Sequence, residues 1–277
     1  MIGKYHRSIT TEALNSQLNQ SEVNLVCDSN VDSDSLFSKK QGESDGYNVT
    51  AQHFNKTDLS NCEEFLQDAK DVTVDDFTKA ANSTTDEEKE KNYTKAFYDF
   101  GRVTHCVQDF YSHTNWINQT GNEERVWNES VDKPNIDNPK NLKTGQYSAF
   151  SQFLDKINIF KHLRLTGGKD YKKTYEENTD QSHYILNKDQ PNSIADKAFK
   201  KQEGASGFDL ACEDATKHTE KEWGEITEAL KKQLDDTTYE KFMNDIKDFN
   251  PTDQKITDSN KECKENFNEK MKEENNK

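Results

Sequence analysis

The sequence predicts an all-α protein: a single multi-helical domain over residues 1–250, followed by a charged tail over residues 251–277. Helix breakers are sparse, with 11 Gly and 4 Pro among 277 residues, and this favours long helices. The 15 Phe, 10 Tyr and 3 Trp recur at helical spacing through the middle of the chain. No segment shows the strict alternation of a strand. Because only 30 % of residues are hydrophobic, we expect a thin core that a bound metal would help to stabilise.

The N-terminal region predicts two helices and a loop. The first helix is expected over about residues 6–18, where Ile9, Ala13 and Leu18 belong to one apolar stripe. A shorter helix is expected over residues 23–27. The following segment, residues 30–46, is mostly polar, and we therefore predict a loop there.

Two capping-box patterns predict where the central helices begin. Ser60-x-x-Glu63 opens one helix, and Thr85-x-x-Glu88 opens the longest one, which is expected to end near Tyr111. In this longest helix aromatic and aliphatic residues recur at steps of three and four, so it is the best core element of the chain. Further helical patterns cover residues 146–164, 192–203 and 207–234.

Composition excludes several functional classes. Since 52 acidic residues face 37 basic ones, the chain lacks the basic surface that binding to duplex nucleic acid requires. No run of eighteen apolar residues is present, and the five cysteines form no C-x-x-C pair typical of a zinc ribbon.

A cytoplasmic location is expected if Met1 is the native start. Seven Asn-x-Ser/Thr sequons favour a secreted or lumenal location if a leader has been trimmed.

One segment, HCVQDFYSH at residues 105–113, has the pattern of a metal site. His105, Asp109 and His113 stand at i, i+4 and i+8, so all three can face one side of a helix. Imidazole and carboxylate ligands suit zinc, and the two oxygens of an aspartate can bridge two ions. The alternative is that this stripe is the solvent face of an amphipathic helix.

A family resemblance begins at the same segment. HCVQDFYSHTNWI resembles the H-x-x-QDFYSHSNW signature of Het-C-like proteins and of the N-terminal region of vertebrate von Willebrand A-domain proteins. These are similar to the all-α superfamily of zinc-dependent bacterial phospholipases C and fungal single-strand nucleases. Weaker blocks follow the family's order over residues 6 to about 230: HRSITTEAL, SNVDSD, QHFN, ILNKDQP and ACEDAT. The resemblance implies a multi-helical domain of the zinc-dependent phospholipase C type.

The resemblance also implies a cluster of two or three zinc ions. By motif, the first ion takes Asp34, His53, His105 and Asp109. The second takes His113 and a later histidine and shares with the first either Asp109 or a bridging hydroxide.

Two ligand positions stay open at this point. The later histidine is His183 in HYILNKD or, alternatively, His218 together with Glu222 in KHTEKE. A third ion would use His6 with the N-terminal amine and carbonyl, again with Asp109.

The expected function follows from these ions. The resemblance implies a phospholipase C-like phosphodiester hydrolase in which a zinc-activated hydroxide attacks phosphorus, Asp109 bridges ions and Asp34 orients the nucleophile as a base. The substrate would be a phospholipid or another phosphodiester, with peripheral membrane contact. The alternatives are a non-catalytic Het-C-like interaction domain that keeps structural zinc, and a single-strand nuclease, which the net charge of −15 disfavours.

Overall fold

The computed structural model describes residues 1–40, 49–54, 59–118, 126–127, 142, 144–145, 186–198 and 205–250. Within these ranges every regular element is a helix. Thr114 and Thr144 also form an isolated antiparallel bridge. The all-α prediction is therefore confirmed for the described part of the chain.

The helices follow one another with few interruptions. They are α1 (Gly3–Leu14), α2 (Gln20–Lys40), α3 (Val49–Gln52), α4 (Leu59–Asn82), α5 (Asp86–His113), a 3-10 turn (Trp116–Asn118), α6 (Ile194–Ala198), α7 (Gly207–Gln233) and α8 (Asp236–Asp248). Among the described helices, none combines the length and apolar character that crossing a membrane requires.

Helix α2 corrects the predictions of a short second helix and of a loop over residues 30–46, because it continues to Lys40. A capping box starts it: the Asn19 side chain accepts from the backbone N–H groups of Ser21 and Glu22, and a Glu22 carboxylate oxygen accepts from the Asn19 N–H at 2.7 Å. Two of the polar residues that suggested a loop, Asn30 and Ser33, are buried. Residues 41–48 lie outside the described part.

The predictions for α5 and α7 are confirmed. At the start of α5, the Glu88 N–H donates to the Thr85 hydroxyl at 3.2 Å, and the Thr84 N–H donates to the Glu88 carboxylate at 3.3 Å. Helix α7 covers almost all of the predicted 207–234 segment.

The predicted helix at 146–164 and the tail at 251–277 lie outside the described residues. Helix α8 is an additional element, capped by Asp235, whose side chain accepts from the Thr238 N–H at 3.1 Å.

The chain divides into two compact units, and each is discontinuous in sequence. The first comprises residues 1–5, 50–63 and 106–218, and the second comprises residues 6–49, 64–105 and 219–277. Aromatic side chains form both cores. In the second unit Phe77 packs edge-on against Phe97 at 5.0 Å. In the first unit Phe110 stacks on Trp127 at 4.3 Å between ring centroids.

Within the second unit, α2 and α5 approach each other at Gly101. A Cβ on Gly101 would lie 2.5 Å from the Ser29 Cβ and 2.6 Å from the Val26 carbonyl oxygen. The Ser29 hydroxyl donates to the Tyr98 carbonyl at 2.5 Å across the same crossing. Only glycine permits this approach. Thr104 lies one turn beyond Gly101 on α5, and Asn30 lies one turn beyond Val26 on α2. The close approach of the two helices brings these two side chains together.

Candidate metal centre

The second unit brings three potential metal ligands together. His6 on α1, Asp34 on α2 and His105 on α5 each offer one ligand atom, and these atoms lie within 4.8 Å of one another. His6 and His105 are buried, whereas the Asp34 side chain is 39 % exposed. These described residues of the second unit could together hold a metal ion. Asp109, which is also buried, lies one turn beyond His105 on α5.

A buried amide network sets the tautomer of His105. The Asn30 side-chain nitrogen donates to the hydroxyls of Thr10 at 3.2 Å and Thr104 at 2.8 Å, so its oxygen faces His105 Nδ1 at 3.2 Å. Nδ1 must therefore carry the hydrogen, and Nε2 presents a lone pair toward Asp34 Oδ1, 4.0 Å away. Metal-ligating histidines are oriented in this way by a hydrogen bond from the other ring nitrogen.

The first unit holds a second set of such groups around Asp109. His53 Nδ1 lies 2.9 Å from Asp109 Oδ2, while the Met1 amine pairs with Oδ1. His113 Nδ1 donates to the His53 carbonyl at 2.7 Å, and His113 Nε2 lies 2.9 Å from Asp189 Oδ1. The two oxygens of Asp109 thus meet different neighbours, as a bridging carboxylate requires.

The electrostatics around His113 favour positive charge. Burial by itself lowers the pKa of His113, but the charges of Asp109 and Asp189 and the hydrogen bond to Asp189 outweigh it. The pKa of His113 consequently lies above its ordinary value. This part of the first unit therefore stabilises a cation.

Backbone strain beside His53 helps to position it. Phe54, the next residue, has a left-handed φ of 48°, a conformation that costs a non-glycine residue about 1–3 kcal/mol. The fully buried Phe54 ring packs edge-on against Phe110 at 5.1 Å and Trp127 at 5.7 Å. This packing offsets the strain, and it fixes the turn that points the His53 carbonyl at His113.

Two of the ligands that the resemblance implied have the following neighbours in the structure. His6 lies with Asp34 and His105 in the second unit. His53 lies in the first unit, against Asp109.

The positions proposed for the later ligand have different surroundings. His183 lies outside the described residues. For His218, the Trp127 N–H donates to the Tyr111 hydroxyl at 2.9 Å, and this hydroxyl forms a hydrogen bond with His218 Nδ1 at 3.0 Å. Glu222 is buried in the second unit, where the Lys70 ammonium lies 2.8 Å from its carboxylate.

Sequence reasoning missed Asn30 and Asp189. Both stand in sequence blocks that carry the family resemblance, Asn30 in SNVDSD and Asp189 in ILNKDQP. These motifs were the sequence signal that could have identified them. Neither was recognised, because Asn30 acts through the ring of His105 and Asp189 stands outside any helical spacing.

Residues 8–142 match the family model of the VWA7 N-terminal domain. The von Willebrand A-related part of the predicted resemblance is thereby confirmed over this segment, which contains Asp34, His53 and the whole 105–113 stripe. His6 and Asp189 fall outside it. No curated protein and no solved structure matches the chain, so the likeness to Het-C-like proteins and phospholipases C stays a prediction.

Proposed function

We propose that this protein binds zinc and hydrolyses phosphodiesters in the manner of a phospholipase C. The observation that supports this is the group of His6, Asp34 and His105, whose ligand atoms lie within 4.8 Å of one another. Two imidazoles and a carboxylate form a donor set that suits zinc. The tautomer of His105 fits the same role, because its Nε2 lone pair faces the group.

Each residue has a defined task in this proposal. Bound zinc would supply Lewis acidity and lower the pKa of a water molecule. Asp109 offers its two oxygens in two directions, and Asn30 holds the ring of His105 in place. Asp34 is the half-exposed member of the group, so its carboxylate can orient an incoming water and accept a proton from it.

The substrate we propose is a phospholipid or another small phosphodiester at a membrane surface. A net charge of −15 disfavours a single-strand nuclease, since a run of nucleotides requires a basic groove. Hydrolysis of a short-chain phosphatidylcholine should therefore exceed hydrolysis of single-stranded DNA at matched zinc and salt. Faster release of nucleotides than of phosphocholine would favour the nuclease instead.

One observation favours a second candidate, a non-catalytic domain that keeps zinc for stability. His6, His105 and Asp109 are each fully buried, as ligands of structural metal ions commonly are. A structural ion would contribute directly to the free energy of unfolding.

Zinc content and hydrolysis together separate these functions. Protein purified without chelator should carry at least two zinc ions per chain, measured by elemental analysis, and should hydrolyse bis(p-nitrophenyl) phosphate. Less than one zinc per chain would overturn both candidates. Two zinc ions with no hydrolysis, and a melting temperature that falls on chelation, would favour the structural role.

A further inference from the structure

The sequence contains seven Asn-x-Ser/Thr sequons, the acceptor motif for N-linked glycans, and the proposed function uses none of them. Three sequons lie entirely within the described residues, and they begin at Asn19, Asn82 and Asn92. A glycan replaces one hydrogen of the asparagine amide with a bulky polar sugar chain, which must remain in solvent. The folded chain therefore accommodates a glycan where the asparagine is exposed and one of its amide hydrogens can be replaced.

The sequon at Asn19 is part of the packing of the second unit. The Asn19 side-chain nitrogen donates to the Phe249 carbonyl at 2.8 Å and to the Ile246 carbonyl at 3.3 Å, so both of its hydrogens are engaged. The sequon hydroxyl, on Ser21, donates to the Asn250 side chain at 2.7 Å. A sugar on Asn19 would break the contact between the start of α2 and the end of α8.

The sequon at Asn92 lies inside α5. The Asn92 side-chain nitrogen donates to the Ser83 hydroxyl at 2.9 Å. Thr94 supplies the sequon hydroxyl and is 1 % exposed, and this hydroxyl donates to the Glu90 carbonyl at 2.8 Å. A sugar on Asn92 would displace Ser83, and the hydroxyl that a glycosyl transferase recognises is buried in the folded chain.

The sequon at Asn82 has the opposite surroundings. Asn82 is the last residue of α4, Thr84 stands in the three-residue turn before α5, and both are exposed. The Asn82 side-chain nitrogen donates to the Thr78 carbonyl of its own helix at 2.8 Å, which requires one of its two hydrogens. An amide nitrogen that carries a sugar keeps one hydrogen, so this hydrogen bond is compatible with modification.

We propose that Asn82 is a site of N-linked glycosylation. The donor is an oligosaccharide joined to a lipid through pyrophosphate, and the Asn82 amide nitrogen attacks its anomeric carbon. A C–N bond forms, the C–O bond to the pyrophosphate breaks, the lipid pyrophosphate leaves and the nitrogen loses one proton. The proposal requires that the chain enters the secretory route, where this transfer occurs. The competing explanation is that the sequon arose by chance in a chain rich in Asn, Ser and Thr.

Mass spectrometry of tryptic peptides tests this site, because cleavage after Lys79 and Lys89 isolates Asn82 from every other sequon. The full chain, isolated from the cells that make it, would be treated with peptide N-glycosidase F in ¹⁸O-labelled water, which converts a glycosylated asparagine to a labelled aspartate. We expect label in the 80–89 peptide and none at Asn19 or Asn92. An unlabelled 80–89 peptide would overturn the proposal, and so would label at Asn19 or Asn92, where the fold should exclude a glycan.

Two variants connect the glycan to the sequon. Asn82→Gln removes the acceptor and Thr84→Ala removes the hydroxyl that the transferase recognises, so each should lose the mass of one glycan when the full chain is expressed in the same cells. Thr84→Ser keeps a hydroxyl and should retain the glycan. Asn24→Gln is the matched control, since Asn24 is exposed on α2 outside any sequon. An unchanged glycan mass in Asn82→Gln or in Thr84→Ala would overturn the proposal.

The zinc content of the Asn82→Gln variant separates this proposal from the proposed function. Asn82 is not among the candidate metal ligands, so we expect the variant to keep the zinc content and the hydrolysis rate of the wild type. An unglycosylated chain that binds zinc and hydrolyses phosphodiesters would remove the modification site alone. A chain glycosylated at Asn82 with no zinc would remove the proposed function alone.

Discussion

Each of the two units contains a buried histidine whose Nδ1 donates to a neutral oxygen and whose Nε2 faces a carboxylate. In the second unit His105 donates to the Asn30 side chain and faces Asp34 at 4.0 Å. In the first unit His113 donates to the carbonyl of His53 and faces Asp189 at 2.9 Å. Both arrangements turn the same ring nitrogen toward a carboxylate. They differ in the elements that carry the groups in contact with the histidine.

In the second unit the groups in contact with His105 stand on helices, whereas in the first unit the groups in contact with His113 lie largely outside helices. Asn30 and Asp34 stand one turn apart on α2, so helix geometry and the Thr10 and Thr104 hydroxyls fix them. Asp189 depends instead on the buried Lys188. The tautomer of the buried histidine is thus set by a side chain on a neighbouring helix in the second unit, and by the backbone of a strained turn in the first. The consequences of mutation should differ accordingly.

The largest effect is expected from Asp109→Asn, because Asp109 contacts groups of the first unit through both oxygens and follows His105 on α5. An amide cannot neutralise two dications, so we expect the loss of at least one zinc and a fall in phosphodiester hydrolysis of about 100-fold or more. An ordinary exposed aspartate would tolerate the change within about 0.5 kcal/mol. Full zinc occupancy with an unchanged melting temperature would refute the role of Asp109 in the metal centre.

Asn30→Ala should affect the second unit selectively. The loss of the acceptor for His105 Nδ1 releases the ring, and we expect metal affinity to fall about 10–100-fold for one ion only. Asn24→Ala is the matched control, since Asn24 is exposed on the same helix and bonds only to Gln20. Chelator competition measures both variants. Equal affinities in the two would show that Asn30 does not orient His105.

Gly101→Ala should destabilise the crossing that brings Asn30 to Thr104. The new methyl group would meet the Ser29 side chain and the Val26 carbonyl, and overpacking of this kind costs about 1–3 kcal/mol. Gly224→Ala on α7 is the control: its Cβ would meet nothing within 4 Å, so helix propensity predicts stabilisation of about 0.5–1 kcal/mol. Urea denaturation of the two variants should give changes of opposite sign.

The smallest effect concerns the start of α2 and depends on pH. Burial raises the pKa of Glu22 from its ordinary 4.5 to about 8, against the opposing hydrogen bond from Asn19. The folded state keeps a proton that the unfolded chain releases above pH 4.5, so this contribution to stability falls as pH rises from 4.5 to 8. Glu22→Gln should remove that slope and gain about 1 kcal/mol at pH 8 relative to pH 5, measured by urea denaturation. If the free energy of unfolding of wild type and variant changed with pH in parallel, the raised pKa of Glu22 would be contradicted.

Helix α5, which starts at a capping box and buries a regular apolar stripe, follows from the sequence alone. For α5, Thr85, Glu88 and the aromatic spacing were sufficient, and the i, i+4, i+8 register then placed His105, Asp109 and His113 on one side. Local hydrogen bonds and helical periodicity act over a few residues, so they can be recognised in the chain without its partners.

The tertiary structure alone decided the extent of α2 and the placement of Asp189. Asn30 and Ser33 look like loop residues because hydrophobic periodicity does not register polar groups that are buried with hydrogen-bond partners. Asp189 meets His113 across 76 residues of sequence, through anchors that Lys188 makes to backbone carbonyls. Backbone carbonyls are the same at every residue and leave no pattern in a sequence, so such a contact exists only once the chain has folded.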